Sequence, residues 1–410
     1  MQSKSKKILI FSLAYYPNFT GGAEVAIKEI TDRISTSDIE FHMITLLFER
    51  TESREEKIGN VFVHRVGFGG GYFSKMLYAP LAALKARSLN NELHFDAMWS
   101  MMTYMLFPVV LMRILGVRVP HTLTLQDGDT YEEVFERWFI RPFAPLLDFG
   151  FRNAAMVQTI STYLATWPPR RGYKGQIEVI PNGSSLPSAQ EYSEQKLAEL
   201  KQKTGKKNGE LFLISVSRLV HQKGIDVVVK ALPLLPPHVR FLIVGDGPDK
   251  DILTNLAREL GVTNRVIFTG QVNRTMTAKY RKISDVFVLP SRSEGQGISF
   301  LSTMVSGLPI VATQEGGIAD FLFDAKRNPD KPTTGWAVDH DSPKQIAEAV
   351  RDILAHPEQV VRVTATAKAL ALEKYDWNLI AKNMREKVFG PVLTNIPLAS
   401  TPGSMSTKCI

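Results

Sequence analysis

Cysteine is nearly absent from this chain of 410 residues: there is one, Cys409, at the far C-terminal end. That excludes a disulfide framework and a cysteine-based zinc cluster, and it fits a reducing, cytoplasmic compartment. Long apolar runs are missing too. The longest, 101–115, is interrupted by Thr103, Pro108 and Arg113, and is too short and too broken to span a bilayer. The apolar run 8–16 follows a basic start. Gly21, Gly22, Ala23 and Glu24 come soon after it instead of a small-residue cleavage site, so it is expected as a first core strand and not as a leader. No G-x-G-x-x-G spacing occurs, which removes the dinucleotide fingerprint and weakens a dehydrogenase reading. No basic run with interleaved aromatics argues for a nucleic-acid partner, and no repeat of solenoid period is apparent.

What is present is ordinary globular composition, 44% apolar and 22% charged, in a chain long enough for two domains with a core each. Lysine and arginine number 49 against 41 aspartate and glutamate, a formal charge of +8. Such a balance suits an anionic small molecule or an acidic membrane surface as well as nucleic acid, and does not choose among them.

Residues 290–309 organise the rest. The run 285–289 before them reads as a buried parallel strand. After them Ile298, Leu301 and Val305 recur at helical spacing until Gly307 and Pro309 end the helix. Gly295 and Gly297 let the backbone approach a ligand closely, and the first free amides, at Ile298 and Ser299, suit a phosphate. Glu294 would repel that phosphate. Either it accepts hydrogen bonds from hydroxyls, which suggests a sugar nucleotide, or it complements the helix dipole.

Other strands are expected at 7–13, 40–46, 61–66, 95–99, 122–125, 154–161 and 177–183, then at 211–216, 240–248 with its turn, 266–270 and 309–313. Between them a helical segment over 72–93 carries Leu77, Leu81 and Leu84 on one face and Lys75, Lys85 and Arg87 elsewhere. Such a helix either packs on its own sheet or lies on an acidic membrane. Behind 211–216 stand Arg218 and Lys223, at the end of a strand where open α/β sheets bind ligands. The pair suits a diphosphate, although solvated surface charges remain the alternative for the bare spacing. Asp127-x-Asp129 behind 122–125 is a pattern that can hold a divalent cation through oxygen, but with nothing else to support it no metal is expected.

The stretch from Ser291 through Glu294, Gly295, Gly297 and Ile298 to Gly307 and Pro309 resembles the Ser-x-x-Glu-Gly-x-Gly-(Ile/Leu)-x-x-x-Glu-Ala-Met-Ala-x-Gly-x-Pro signature of the family 4 glycosyltransferases. These are retaining enzymes. The resemblance runs over about 7–390 and is strongest over 211–320. It implies an α/β chain with the GT-B fold, two Rossmann-like doubly wound domains facing each other across a cleft. The divisions expected are 1–188 as the acceptor-side domain, completed by a crossing helix at about 376–392, 189–209 as a linker, 210–375 as the nucleotide-sugar domain, and 396–410 as a loose tail.

The same resemblance implies the site. Arg218 and Lys223 would meet the donor diphosphate and Glu294 the sugar hydroxyls, as the catalytic set. Donor-binding positions would be Gly21 and Gly22 of the N-terminal glycine loop, Gln126, Asp127, Gly245, Gly270, Gly295, Gly297, Ile298, Ser302, Gly316 and Gly317. Four positions depart from the family pattern: Gln126 replaces a histidine, Ser302 a ribose-binding glutamate, Ser185 an aspartate and Asp320 a glutamate. A charged hydrogen bond contributes about 1.5–3 kcal/mol and a neutral one about 0.5–1.5, so Ser302 costs roughly tenfold in donor affinity. Gln126 cannot titrate, and no other base stands out.

The expected partners are therefore a nucleoside diphosphate sugar, a glycan or lipid-linked acceptor bound by loops 67–80 and 128–145, and an anionic membrane touched from the cytoplasmic side. No cofactor is expected. A catalytically silent paralogue serving as a partner subunit and a sugar-nucleotide epimerase are the alternatives.

Overall fold

The computed structural model describes residues 5–184 and 191–394; Ser185, Cys409 and the tail 396–410 lie outside the described residues. The chain divides into two compact units, one running to Asn182 and resuming at Trp377, the other spanning Gly183–Asp376.

Unit 1 is built on eight strands: β1 Lys6–Phe11, β2 Ile39–Leu46, β3 Glu55–Ile58, β4 Val61–Val66, β5 Ala97–Met101, β6 His121–Leu125, β7 Met156–Thr159 and β8 Ile177–Val179. Their order is β3-β4-β2-β1-β5-β6-β7-β8. Every pairing is parallel except the β3–β4 hairpin. Parallel strands covered by helices on both faces need continuous apolar runs, and the stretch Ile8 to Phe11 is at most 1% exposed. β3 escaped the sequence reading because Glu55, Glu56 and Lys57 show no apolar pattern. Backbone pairing to β4 and the ion pair between Arg65 and Glu56 hold it at the sheet edge.

The helix Tyr72–Leu93 has its expected bounds but turns a different face inward. Leu77 and Leu84, anticipated as its packing side, are 42% and 56% exposed, while Tyr78, Ala82, Ala83, Ala86 and Leu89 are buried. Small alanines let the helix approach the sheet closely. The Tyr78 hydroxyl, 2.8 Å from the Ile44 carbonyl, then spends its donor on the strand.

Unit 2 has six parallel strands: β9 Leu211–Val216, β10 Val239–Val244, β11 Val266–Gly270, β12 Val286–Leu289, β13 Ile310–Ala312 and β14 Trp336–Ala337, ordered β11-β10-β9-β12-β13-β14. The stretch 189–209, expected as a linker, is in its described part a piece of this unit. Its helix Glu194–Lys203 puts Leu200 into the core, and Lys206 pairs with Asp285 at 2.6 Å. A helix to about Lys203 is what the sequence leads one to expect here; its packing onto the unit was masked by polar composition, because the apolar contact rests on few side chains. From Trp377 the chain belongs to unit 1, where Trp377 is 1% exposed and Arg385 bonds Asp38 at 2.7 Å.

Candidate active site

Because every strand of the second sheet runs the same way, the loops following β9, β10, β11, β12 and β13 leave from one edge. The strand order reverses between β9 and β12, and the loops after those two strands flank the crevice where such sheets bind ligands. They carry Arg218 and Lys223 on one side and Glu294 on the other. Gly224 makes the approach feasible: its φ is 65°, and a Cβ there would sit 2.1 Å from the Pro290 carbonyl oxygen.

Lys223 and Glu294 meet directly. The Lys223 Nζ lies 2.7 Å from Glu294 Oε2, with the two side chains 12% and 11% exposed. The sequence reading gave Glu294 to ligand hydroxyls and Lys223 to the diphosphate; in the structure each satisfies the other, since a lone charge so deeply enclosed would be costly. Lysine has three donors, so Lys223 keeps capacity for an oxyanion beside Glu294. Arg218 is exposed and has no ion-pair partner among the described residues.

Arg292 was missed by sequence reasoning and explains the geometry. Its guanidinium forms a two-pronged pair with Asp226 (3.0 Å on each arm) and bonds Asp341 at 2.9 Å, while its backbone N–H donates to the Gln222 carbonyl at 2.8 Å. It thereby ties the β9 and β12 loops together next to Lys223 and Glu294. The available signal was an arginine inside 290–309 with an aspartate two residues beyond Gly224.

The helix Ile298–Ser306 starts from Gly297, which lies at φ 89° and provides no capping side chain, leaving first-turn amides for a ligand. Gly295 is buried in the same loop. Glu294 also accepts through its backbone oxygen from Gly317 N–H at 3.0 Å, which brings the Gly316–Gly317 turn to this loop. Gly245 and Gly270 bridge the ends of β10 and β11. At Gly245 φ is 140° and a Cβ would lie 1.9 Å from the Ser217 carbonyl oxygen, so a side chain there would push out the loop that carries Arg218. Ser302, on the second turn, is 2% exposed.

The remaining sequence-derived positions belong to unit 1. Gly21 caps the helix Gly22–Thr31 and has Glu24 Oε2 2.6 Å from where its Cβ would be. Gln126 faces Asn182 in a reciprocal amide pair, at 3.2 and 3.1 Å, which engages both its donor and its acceptor. Asp127 is turned inward: it is 5% exposed and accepts from the Thr103 hydroxyl at 3.0 Å. Burial pushes its carboxyl up to about 6, helped by the charge of Asp129 and opposed by the Thr103 donors. Asp129 pairs with Arg137 at 3.2 Å, and no group of three or more potential ligands able to hold a metal exists among the described residues. In the segments 67–80 and 128–145 aromatic side chains stand in solvent, Tyr72 at 76%, Phe73 at 73% and Trp138 at 81% exposure, with Phe139 edge-on to Trp138 and Phe143 edge-on to Phe107. Among the described residues no helix is long and apolar enough to cross a membrane.

Two family models match the chain, one described as glycosyl transferases group 1 over residues 197–370 and one as glycosyltransferase family 4 over 20–186. An alpha-monoglucosyldiacylglycerol synthase of Streptococcus pneumoniae is 36% identical over 321 residues, 75% of this chain and 70% of that protein. A GDP-mannose-dependent alpha-(1-6)-phosphatidylinositol monomannoside mannosyltransferase of Mycolicibacterium smegmatis is 31% identical over 188 residues; the match spans 43% of this chain and about half the length, 47%, of that relative. Among solved structures, a sucrose-phosphate synthase from Thermosynechococcus elongatus superposes with a TM-score of 0.81 at 18% identity, covering 95% of this chain and 100% of the other. At that identity the likeness speaks for the fold, which is GT-B, built from two Rossmann-like α/β units.

Proposed function

The chain belongs to the family 4 glycosyltransferases, and we propose that it moves a hexosyl unit from a nucleoside diphosphate sugar onto a glycan or lipid-linked acceptor. The transfer retains anomeric configuration, needs no metal ion and serves the synthesis of a cell-surface polysaccharide or glycolipid. The observation that carries this reading is the Lys223–Glu294 contact at the switch point of the second sheet, beside the glycine-capped start of Ile298–Ser306.

In the proposed reaction the bond between the anomeric carbon and the β-phosphate oxygen breaks, and the acceptor oxygen bonds to that carbon from the same face. The acceptor proton goes to the leaving phosphate oxygen, so no side-chain base is required. Arg218, Lys223 and the helix amides carry the charge that develops on the diphosphate, and preorganised charge of this type is usually the largest catalytic contribution. Glu294 holds the sugar hydroxyls and Ser302 the ribose; Gln126, engaged by Asn182, and Asp127, turned onto Thr103, are given no substrate contact. Relatives named for phosphatidylinositol monomannoside and for diacylglycerol, together with the exposed aromatics of unit 1, support a lipid-linked acceptor reached from the inner face of the membrane.

A screen of UDP-, GDP- and ADP-sugars in EDTA, read by thermal shift and nucleotide release, tests this. Stabilisation by one nucleotide class with slow hydrolysis supports it; no shift at millimolar donor overturns it. Arg218→Ala or Lys223→Ala that keeps turnover within about threefold of wild type would refute their roles, since losing such a contact costs about 2 kcal/mol or more. A second reading, a silent paralogue acting as a partner subunit, draws on the Gln126–Asn182 amide pair and on Ser302. It requires that no acceptor receive sugar, whether or not a donor binds.

A further inference from the structure

Unit 1 contains a cavity that the proposed donor chemistry does not use. It lies between the β3–β4 hairpin and the helix Tyr72–Leu93 and measures about 550 Å³, within the range of small-molecule sites. Val66, Phe68, Leu77 and Leu81 line its apolar part. Arg54 and Lys85 stand on the same lining. Arg65 adds a third cation there but is already paired with Glu56. The Arg54 guanidinium reaches only the Gly67 carbonyl, at 3.4 Å, and has no ion-pair partner among the described residues. The Lys85 Nζ is held 2.8 Å from Glu55, the one acidic residue of the lining, and Glu55 also faces His64 at 3.3 Å.

We propose that this groove binds a single anionic phospholipid from a bilayer, an acyl chain against the apolar wall and the phosphate at Arg54 and Lys85. A soluble phosphate would gain nothing from four apolar side chains, and a neutral lipid would leave Arg54 without a counter-charge; an anionic amphiphile satisfies both parts, its phosphate at Arg54 and within reach of the Glu55-paired Lys85. Tyr72 and Phe73 stand exposed at the start of the same helix, Phe73 one turn before Leu77, so a lipid seated in the groove lies along the helix that would meet a bilayer. The inference rests on the proposed membrane contact of unit 1, and it adds a defined single-lipid site to that general adhesion.

Monomeric lipid separates the two. Dihexanoylphosphatidylglycerol below its micelle concentration, titrated calorimetrically into the full chain, is expected to bind at least tenfold more tightly than dihexanoylphosphatidylcholine or glycerol 3-phosphate. Leu77→Trp, which fills the mouth from an exposed position, and Arg54→Ala/Lys85→Ala are each expected to weaken it tenfold or more with an unchanged melting temperature. Tyr72→Ala/Phe73→Ala is expected to reduce flotation on phosphatidylglycerol vesicles and leave monomer binding intact. Wild-type protein that fails to float but still binds the monomer would sink the membrane contact and keep the groove. Equal binding of the zwitterionic lipid or of glycerol phosphate would overturn the assignment, as would monomer binding indifferent to both groove variants. So would a shift in oligomeric state with Leu77→Trp at constant lipid affinity, which would make the groove an interface between copies.

Discussion

Removing Lys223 offers a clean test of the site, because stability and activity respond to it for separable reasons. Lys223→Met keeps most of the aliphatic stem and leaves the Glu294 carboxylate, 11% exposed, without its partner. Breaking an enclosed ion pair from one side costs about 3–5 kcal/mol, whereas replacing both members by neutral groups of similar shape is close to neutral. For a unit the size of Gly183–Asp376, each kcal/mol moves the transition by about 2–4 °C. Lys223→Met is therefore expected to lower the unit 2 transition by roughly 6–20 °C in differential scanning calorimetry at pH 7.5. Adding Glu294→Gln is expected to bring it back to within about 1 kcal/mol of wild type, while Lys223→Met, Glu294→Gln alone and the double variant all stay inactive. A single-variant shift below about 2 °C, or a double variant worse than either single, would show that the pair is not formed in solution and would refute the reasoning.

Gly245→Ala must relieve a contact of 1.9 Å with the Ser217 carbonyl at φ 140°; it is expected to abolish the thermal shift given by nucleotide, and an unchanged shift would count against this loop. Arg292→Ala is expected to raise the donor KM and the flexibility of both β9 and β12 loops, read by hydrogen exchange at 217–224 and 290–297. Protection equal to wild type in both would remove its tying role. Asp127, held up at about 6 by burial, titrates near 3.9 when unfolded. Folded protein thus binds the proton more tightly, and unit 1 gains stability from this group as pH falls from about 7 to about 4. Asp127→Asn is expected to lose that contribution, so the melting-temperature difference between wild type and variant should change sign or shrink across that window; a constant difference would contradict the burial.

Strand-loop-helix order was legible over most of the chain. Buried parallel strands need apolar runs rich in β-branched and aromatic residues, and 211–216 and 286–289 advertise themselves that way. Gly297 and Gly307 marked both ends of the helix Ile298–Ser306, since a left-handed residue there almost demands glycine. β3 and β14 were invisible, one because its side chains are charged and the other because two residues carry no period.

Motif spacing was enough to single out Lys223 and Glu294 as candidates, because both sit in loops behind recognisable strands. Their contact, separated by 71 positions along the chain, follows from the order β9-β12 in the sheet and from Arg292 holding the two loops, neither of which is written in local pattern. The inward turn of Asp127 toward Thr103 and the outward turn of Leu77 and Leu84 likewise depend on what lies across from them. Periodicity marks that a helix has an apolar side. Which side packs is settled by the fit of Tyr78 and the alanines against the strands, an interaction between segments far apart in the chain.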